Sequence, residues 1–97
     1  MQTYVALYKL TDQGINDIKD APNRIEAAVK LLESMGGKLL SFYATMGEYD
    51  YVTISEAPDD ETAMATVLTL CSLGNVRTQT LKAFPQKEFA KIVKKMK

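Results

Sequence analysis

Tyr49 and Asp50 are the most suggestive neighbouring side chains in this sequence, because they close the turn Gly47-Glu48-Tyr49-Asp50. A carboxylate beside a phenol can serve as a general base with a hydrogen-bond donor, or can bind a ligand through the same two groups. Asp also accepts hydrogen bonds from backbone N–H groups in turns. The competing interpretation is therefore structural, with Asp50 holding the turn together and Tyr49 packing over it.

A second group of candidate residues lies after Gly74. The guanidinium group of Arg77 suits a carboxylate or a phosphate, although an ion pair with Asp12 or Asp50 is the competing interpretation. Hydroxyls further along this segment, and one tyrosine earlier in the chain, can hydrogen-bond a small organic ligand or pack in an interface. The complete set of candidate ligand-binding residues is Tyr43, Tyr49, Asp50, Arg77, Thr78 and Thr80.

The remaining reactive residues favour structural roles. Cys71 lies on the apolar stripe of a predicted helix, which indicates a buried thiol without a low pKa. Asp59, Asp60 and Glu61 follow Pro58, where acidic residues cap a helix more readily than they bind a metal. The chain contains no histidine, so the usual imidazole base and metal ligand are absent. We predict no metal, no cofactor and no assignable catalytic residue.

Length and composition set further limits. With 97 residues, we expect residues 1–97 to form one domain. A formal net charge of zero offers no general attraction to nucleic acid or to an anionic membrane. The single cysteine and the absence of a signal peptide or a long apolar segment indicate a cytoplasmic protein.

Hydrophobic periodicity predicts seven elements. They are strands at Gln2–Leu10, Lys38–Met46, Asp50–Glu56 and Val76–Phe84, and helices at Ala21–Met35, Asp60–Leu73 and 85–97. The order strand, helix, strand, strand, helix, strand favours an α+β ferredoxin-like sandwich with antiparallel sheet order 4-1-3-2. In this topology the segments 11–14, 47–50 and 74–78 converge at one edge of the sheet, which suggests a composite site.

Strand alternation predicts which residues share each face of the sheet. We expect the helices to cover Val5, Leu7, Leu40, Phe42, Ala44, Val52, Ile54, Leu81 and Ala83. The other face would then carry Tyr4, Tyr8, Tyr43, Tyr51, Thr45, Thr53, Thr78 and Thr80. A surface rich in tyrosine and threonine suggests that a second copy covers it, giving a dimeric α+β barrel with hydroxyls at the interface or around a cavity. The competing interpretation is an exposed face with cross-strand Tyr–Thr pairs.

The C-terminal helix is amphipathic. Phe89, Ile92, Val93 and Met96 recur at helical spacing, and lysines occupy much of the remainder. We expect this helix to pack on its own domain or on a second copy, the alternatives being an acidic partner or a membrane surface.

Several short motifs, in order, resemble the GYD domain family of small bacterial and archaeal proteins. They are Tyr4, Thr11-x-x-Gly14-Ile15, Gly36-Gly37, Phe42-Tyr43, Gly47-x-Tyr49-Asp50, Ala57-Pro58-Asp59-Asp60 and Gly74-Asn75-Val76-Arg77-Thr78-x-Thr80. The resemblance spans roughly residues 2–90 and implies a fold similar to dimeric α+β barrels. It implies no particular reaction.

Three functions are consistent with these features. The first is a homo-oligomeric domain that binds a small organic molecule or has a regulatory role. The second is a cofactor-independent enzyme of the small monooxygenase or isomerase type, with Asp50 or a tyrosine as its base. The third is an oligomerisation module without a ligand.

Overall fold

The structure is a computed structural model that describes residues 1–97. Its strands are β1 (Gln2–Leu10), β2 (Lys38–Ala44), β3 (Tyr51–Ala57) and β4 (Val76–Ala83). Its helices are α1 (Asp12–Asn16), α2 (Ala21–Ser34), α3 (Asp60–Ser72) and α4 (Gln86–Lys94), with a 3₁₀ turn at Ile18–Asp20. None of these helices is long and apolar enough to cross a membrane.

The four strands form one antiparallel sheet in the order β2-β3-β1-β4. The predicted ferredoxin-like topology is therefore confirmed. Helix α3 begins as its acidic residues suggest, because the side chain of Asp59 accepts a 2.8 Å hydrogen bond from the backbone N–H of Thr62. Hydrogen bonding to Thr62 lowers the pKa of Asp59.

Helices α2 and α3 cover the face of the sheet that carries most of the tyrosines, which is the reverse of the prediction. The hydroxyl of Tyr4 donates a 2.6 Å hydrogen bond to Asp60 at the start of α3. On the same face, the hydroxyl of Thr78 lies 3.9 Å from the sulfur of Cys71 in α3. The prediction that this tyrosine- and threonine-rich face packs against a second copy was therefore wrong.

The face that the helices leave uncovered, here called the open face, is the aliphatic one. A β-bulge between Leu39 and Ser41 shifts the alternation in β2. Leu40 and Tyr43 therefore join the open face, while Phe42 lies on the helix side. The apolar residues of the open face are Val5, Leu7, Leu40, Tyr43, Val52, Ile54, Leu81 and Ala83. The same face carries the polar residues Thr3, Lys9, Lys38, Ser41, Glu56, Arg77 and Gln79 toward its margins.

The reversed orientation has a physical cause in the helices. The fully buried residues of the two helices are small, namely Ala21, Ala63 and Thr66, which leaves room for large tyrosine side chains. Helix α3 also supplies a carboxylate for the hydroxyl of Tyr4, and a buried hydroxyl needs such a partner. Aliphatic side chains need no hydrogen-bond partner, so the other face of the sheet can stay uncovered by the helices and remain available to pack against another molecule.

Candidate functional site

A cavity of about 350 Å³ lies between the tyrosine-bearing face of the sheet and helices α2 and α3. We call it the cleft. Its sheet wall includes Tyr8, Phe42, Tyr51, Thr53 and Thr80, and its helix wall includes Ile25, Ala28, Leu32, Val67 and Leu70. Most lining residues are apolar, and no large side chain of the chain is fully buried. The two layers therefore enclose a space that the chain itself does not fill.

Aromatic rings and hydroxyls line the sheet wall of the cleft. The ring of Tyr51 lies 5.1 Å from that of Phe42 and 6.3 Å from that of Tyr8, centroid to centroid. Burial raises the pKa of Tyr8, so its phenol stays neutral and can donate a hydrogen bond at physiological pH. Thr53 adds a buried hydroxyl between these rings and the helices. This wall suits an apolar or aromatic ligand that carries one polar group.

Arg24 in α2 is the one cationic residue among those that line the cleft. Its guanidinium group donates hydrogen bonds to the backbone oxygens of Asp17 (2.8 Å) and Gly14 (3.2 Å). It forms no salt bridge with a carboxylate of the chain. Because the two carbonyls fix the group without neutralising it, Arg24 can attract an anionic ligand group.

Asp50 lies outside the cleft, where it joins the 47–50 turn to the end of β1. One carboxylate oxygen accepts a 2.8 Å hydrogen bond from the backbone N–H of Leu10. The backbone N–H of Asp50 donates to the carbonyl of Tyr8 (2.7 Å), and its carbonyl accepts from the N–H of Thr45 (2.8 Å). These contacts match the structural interpretation of Asp50.

The three segments 11–14, 47–50 and 74–78 converge at one edge of the sheet. The backbone N–H of Thr11 donates a 3.0 Å hydrogen bond to the carbonyl of Asn75, and Asp50 reaches Leu10 beside them. The edge is thus joined largely by hydrogen bonds to backbone atoms, which stabilise the fold and leave few polar groups for a ligand.

The sheet separates the six candidate residues into two groups. Tyr49 lies on the open side, where its hydroxyl donates to Gln79 (2.8 Å) and Lys9 lies 5.4 Å from its ring centre. Arg77 and Tyr43 share this side. Thr78 and Thr80 lie on the helix side. The structure therefore does not bring the candidate residues together around one ligand.

Arg77 and Cys71 were each given a structural interpretation that the contacts of the chain can test. Arg77 forms no salt bridge, so the competing interpretation, an ion pair with Asp12 or Asp50, was wrong. Cys71 lies with its sulfur toward β4, but it is half-buried and so less enclosed than the predicted buried thiol. No group of three or more carboxylate or cysteine side chains is arranged to hold a metal ion.

The cleft residues Tyr8, Tyr51, Thr53 and Arg24 were not among the candidate site residues. Strand alternation had already grouped the first three on one face, and only the assignment of that face was reversed. Arg24 precedes Ile25 on α2, at the edge of the apolar stripe. A cationic residue beside such a stripe is a usable signal for the rim of a cavity.

Tyr4 gives a prediction for stability at alkaline pH. Burial and the hydrogen bond to Asp60 raise the pKa of Tyr4 to about 12, against about 10 for an exposed tyrosine. Its contribution to stability should be complete below pH 10 and should decline as the pH rises through 12. A pKa difference of two units corresponds to a contribution of at most about 2.7 kcal/mol to the free energy of unfolding.

Urea unfolding of Tyr4→Phe and of the wild type between pH 8 and pH 12 checks this expectation. Tyr4→Phe should be less stable by about 1–2 kcal/mol at pH 8, and the difference should shrink at higher pH. Tyr43→Phe, which alters an exposed ring, is the control. A difference that does not change with pH would contradict the role given to the Tyr4–Asp60 bond.

The fold and the cleft define a class of protein: a small ferredoxin-like α+β domain with an internal apolar cleft and an uncovered aliphatic sheet face. The chain belongs to the GYD domain family, whose model matches residues 4–93. The resemblance seen in the sequence motifs is thereby confirmed.

A relative from Thermus thermophilus is the glutamine synthetase and cystathionine beta-lyase binding protein. It is 38% identical over 86 residues, which cover 88% of this chain and 90% of the relative. Among solved structures, the protein TTHA0845, also from Thermus thermophilus, has a TM-score of 0.56 and 26% identity, covering 88% of this chain and 95% of that one.

A second solved structure is the feast or famine regulatory protein from M. tuberculosis complexed with L-methionine. Its TM-score is 0.66 and its identity is 19%, over 89% of this chain. This chain spans about half of that protein, 52% of its length. At this identity the likeness concerns the fold alone.

Proposed function

We propose that this chain is a cytoplasmic, homodimeric regulatory domain that binds a small organic molecule in the cleft. The observation that carries the proposal is the cleft itself. Its volume of about 350 Å³ falls within the range of about 300–1000 Å³ that is usual for small-molecule sites. Its lining is mainly apolar with a few hydroxyls, which is also typical of such sites.

The lining indicates the chemical class of the ligand. An apolar or aromatic body would contact Phe42 and the rings of Tyr8 and Tyr51, and a polar group would meet the hydroxyl of Thr53 or Thr80. A carboxylate on the ligand would face Arg24, which has no acidic partner within the chain. The expected ligand is therefore a small apolar carboxylic acid.

The enzymatic alternative receives less support from the geometry. Asp50, the residue first considered as a base, lies outside the cleft and accepts a hydrogen bond from the backbone N–H of Leu10. Tyr8 lies within the cleft, but burial raises its pKa, which makes its phenol a poor base near neutral pH. Neither residue has the environment of an activated general base.

The dimer is proposed through the open face. The chain exposes 6879 Å², whereas a folded monomer of its mass exposes about 5500 Å². The surplus exceeds the roughly 800 Å² that each partner buries in a standard protein interface. An aliphatic sheet face without a covering layer is the part of this surface best suited to burial against a second copy.

A second candidate function is the binding of another protein. It is favoured by the name of the relative from Thermus thermophilus, a binding protein for two metabolic enzymes, at 38% identity. Glutamine synthetase and cystathionine beta-lyase from the source organism are the partners to test first. Biolayer interferometry with immobilised chain should then detect at least one of them, and binding of neither would remove this candidate.

Ligand binding can be tested with apolar carboxylic acids and hydrophobic amino acids, by thermal shift and then by calorimetry. At least one acid should bind, and Arg24→Gln should weaken binding of the acid at least tenfold more than binding of its primary amide. Ala28→Leu, which fills the cleft from α2, should weaken binding of both compounds.

Ala65→Leu on the exposed side of α3 is the matched control and should bind like the wild type. The proposal is contradicted if none of the compounds binds. It is also contradicted if Ala28→Leu binds them as tightly as Ala65→Leu does.

A further inference from the structure

Helix α4 has no surface to pack on within its own chain. Every residue from Phe84 to the C-terminus is exposed, including Phe89, Ile92 and Val93 of its apolar stripe. The hydrogen bonds of this segment are local, and its single salt bridge joins Glu88 to Lys91 of the same helix. A helix of nine residues is barely stable alone in water, so α4 requires a partner surface.

Charge indicates what kind of surface that is. Residues 86–97 contain five lysines and one glutamate, so this segment carries a formal charge of +4. Because the whole chain is formally neutral, residues 1–85 carry −4. The body of the protein is therefore the electrostatic complement of its own C-terminal helix. A second copy of the chain satisfies this complementarity without any other partner.

The open face has an apolar residue at the appropriate place. At one end of the sheet, one row of paired residues crosses all four strands. It consists of Ala83 in β4, Thr3 in β1, Glu56 in β3 and Lys38 in β2. Leu40, with 46% of its surface exposed, lies near this end. In a dimer, the open faces of two copies can pack together with a two-fold axis that runs parallel to the strands. The edge strand β4 of one copy then lies over the edge strand β2 of the other. The helix that follows β4 is then carried toward Leu40 of the second copy.

The composition of the edge strands supports this arrangement. On the open face, Leu81 and Ala83 of β4 lie at the level of Leu40, whereas Arg77 and Gln79 lie toward the other end, so the apolar end of β4 leads directly into α4. The apolar stripe of α4 would continue this apolar surface beyond Ala83. Glu56 and Glu61 lie at the same end of the sheet and complement the lysines of α4. Asp59 and Asp60 lie there too, but they already bind Thr62 and Lys82 of their own chain.

We propose that α4 is an exchanged arm: in the homodimer, its apolar stripe packs on the second copy beside Leu40, at the edge of the open face. This inference rests on the proposed dimer and adds to it the element that completes the interface. The arm would make each copy incomplete without the other.

Disulfide trapping in the full-length chain tests the exchange. Cys71 is the only cysteine, so Cys71→Ser leaves only introduced thiols. After mild oxidation, the double variant Leu40→Cys/Ile92→Cys should run as a covalent dimer on a non-reducing gel. The pair Tyr43→Cys/Ile92→Cys, with one cysteine toward the other end of β2, should cross-link at least fivefold less. A covalent monomer, or equal cross-linking of both pairs, would contradict the exchange.

A second measurement does not depend on cysteines. Phe89→Ser/Ile92→Ser should raise the dimer dissociation constant at least tenfold in sedimentation experiments, whereas Ala90→Ser, off the stripe, should leave it unchanged. If the serine double variant dimerises like the wild type, the arm has no role, although the dimer through the open face stands. If the wild type is a monomer at micromolar concentration, the proposed dimer fails together with the arm.

Discussion

Gly14→Ala should destabilise the protein by about 3 kcal/mol or more, because there is no space for a methyl group at this position. A Cβ on Gly14 would lie 2.2 Å from the backbone oxygen of Asn75 and 3.1 Å from a methyl carbon of Leu10. The first of these atoms belongs to the backbone and already accepts a hydrogen bond from Thr11. Relief of the clash would separate α1 from the start of β4.

Equilibrium unfolding in urea, followed by circular dichroism at one fixed protein concentration, measures this effect. Gly47→Ala is the matched control, because Gly47 has a φ of 104° and a Cβ added there would have no other atom within 4 Å. That change introduces only local backbone strain of about 1–2 kcal/mol. Equal destabilisation by the two variants would show that the contact between Gly14 and Asn75 is not important.

The elements and their order could be predicted because each rests on local signals. Strand alternation, helical spacing, the Gly36-Gly37 helix end and the acidic start of α3 each concern a few neighbouring residues. Once those elements were assigned, the rules of chain connection left few topologies. The same reasoning predicted correctly that the 47–50 turn meets the end of β1.

The orientation of the sheet could not be predicted in the same way. Alternation shows which residues share a face, but it does not show which face meets the helices. The usual assumption, that the more aliphatic face is covered within the chain, was wrong here because Tyr4 has its hydrogen-bond partner in α3. A bulge after Leu39 also reversed part of β2, and bulges leave little trace in a single sequence.

The candidate site was divided because convergence at one edge of the sheet does not place side chains on one face. Tyr49 and Arg77 were grouped with Thr80 because the segments 47–50 and 74–78 were expected to meet at one edge of the sheet. Side chains on successive strand residues point to opposite faces, so Arg77 and Thr80 cannot meet the same small ligand. The cleft depends on the distance between the helices and the sheet, which is a tertiary property that strand patterns do not contain.

Ile54→Lys should convert the proposed dimer to a monomer without unfolding it. Ile54 lies in the interior strand β3 on the open face, opposite Val5 of β1, and no helix of its own chain covers it. In a monomer, the lysine side chain would extend into water. In a dimer with two-fold symmetry, two ammonium groups would be buried near the centre of the interface. Glu56, the one carboxylate that the strands place on this face, already lies opposite Lys38. Burial of unpaired charge is strongly unfavourable.

The dissociation constant should therefore rise at least 100-fold, equivalent to about 2.7 kcal/mol. Sedimentation velocity from 1 to 100 µM measures it, and circular dichroism checks that the fold is intact. Leu68→Lys, a similar change at an exposed position of α3 on the opposite side of the sheet, should remain dimeric. A dimer of wild-type affinity in Ile54→Lys would exclude the open face as the interface and would turn attention to the exposed apolar residues of α3.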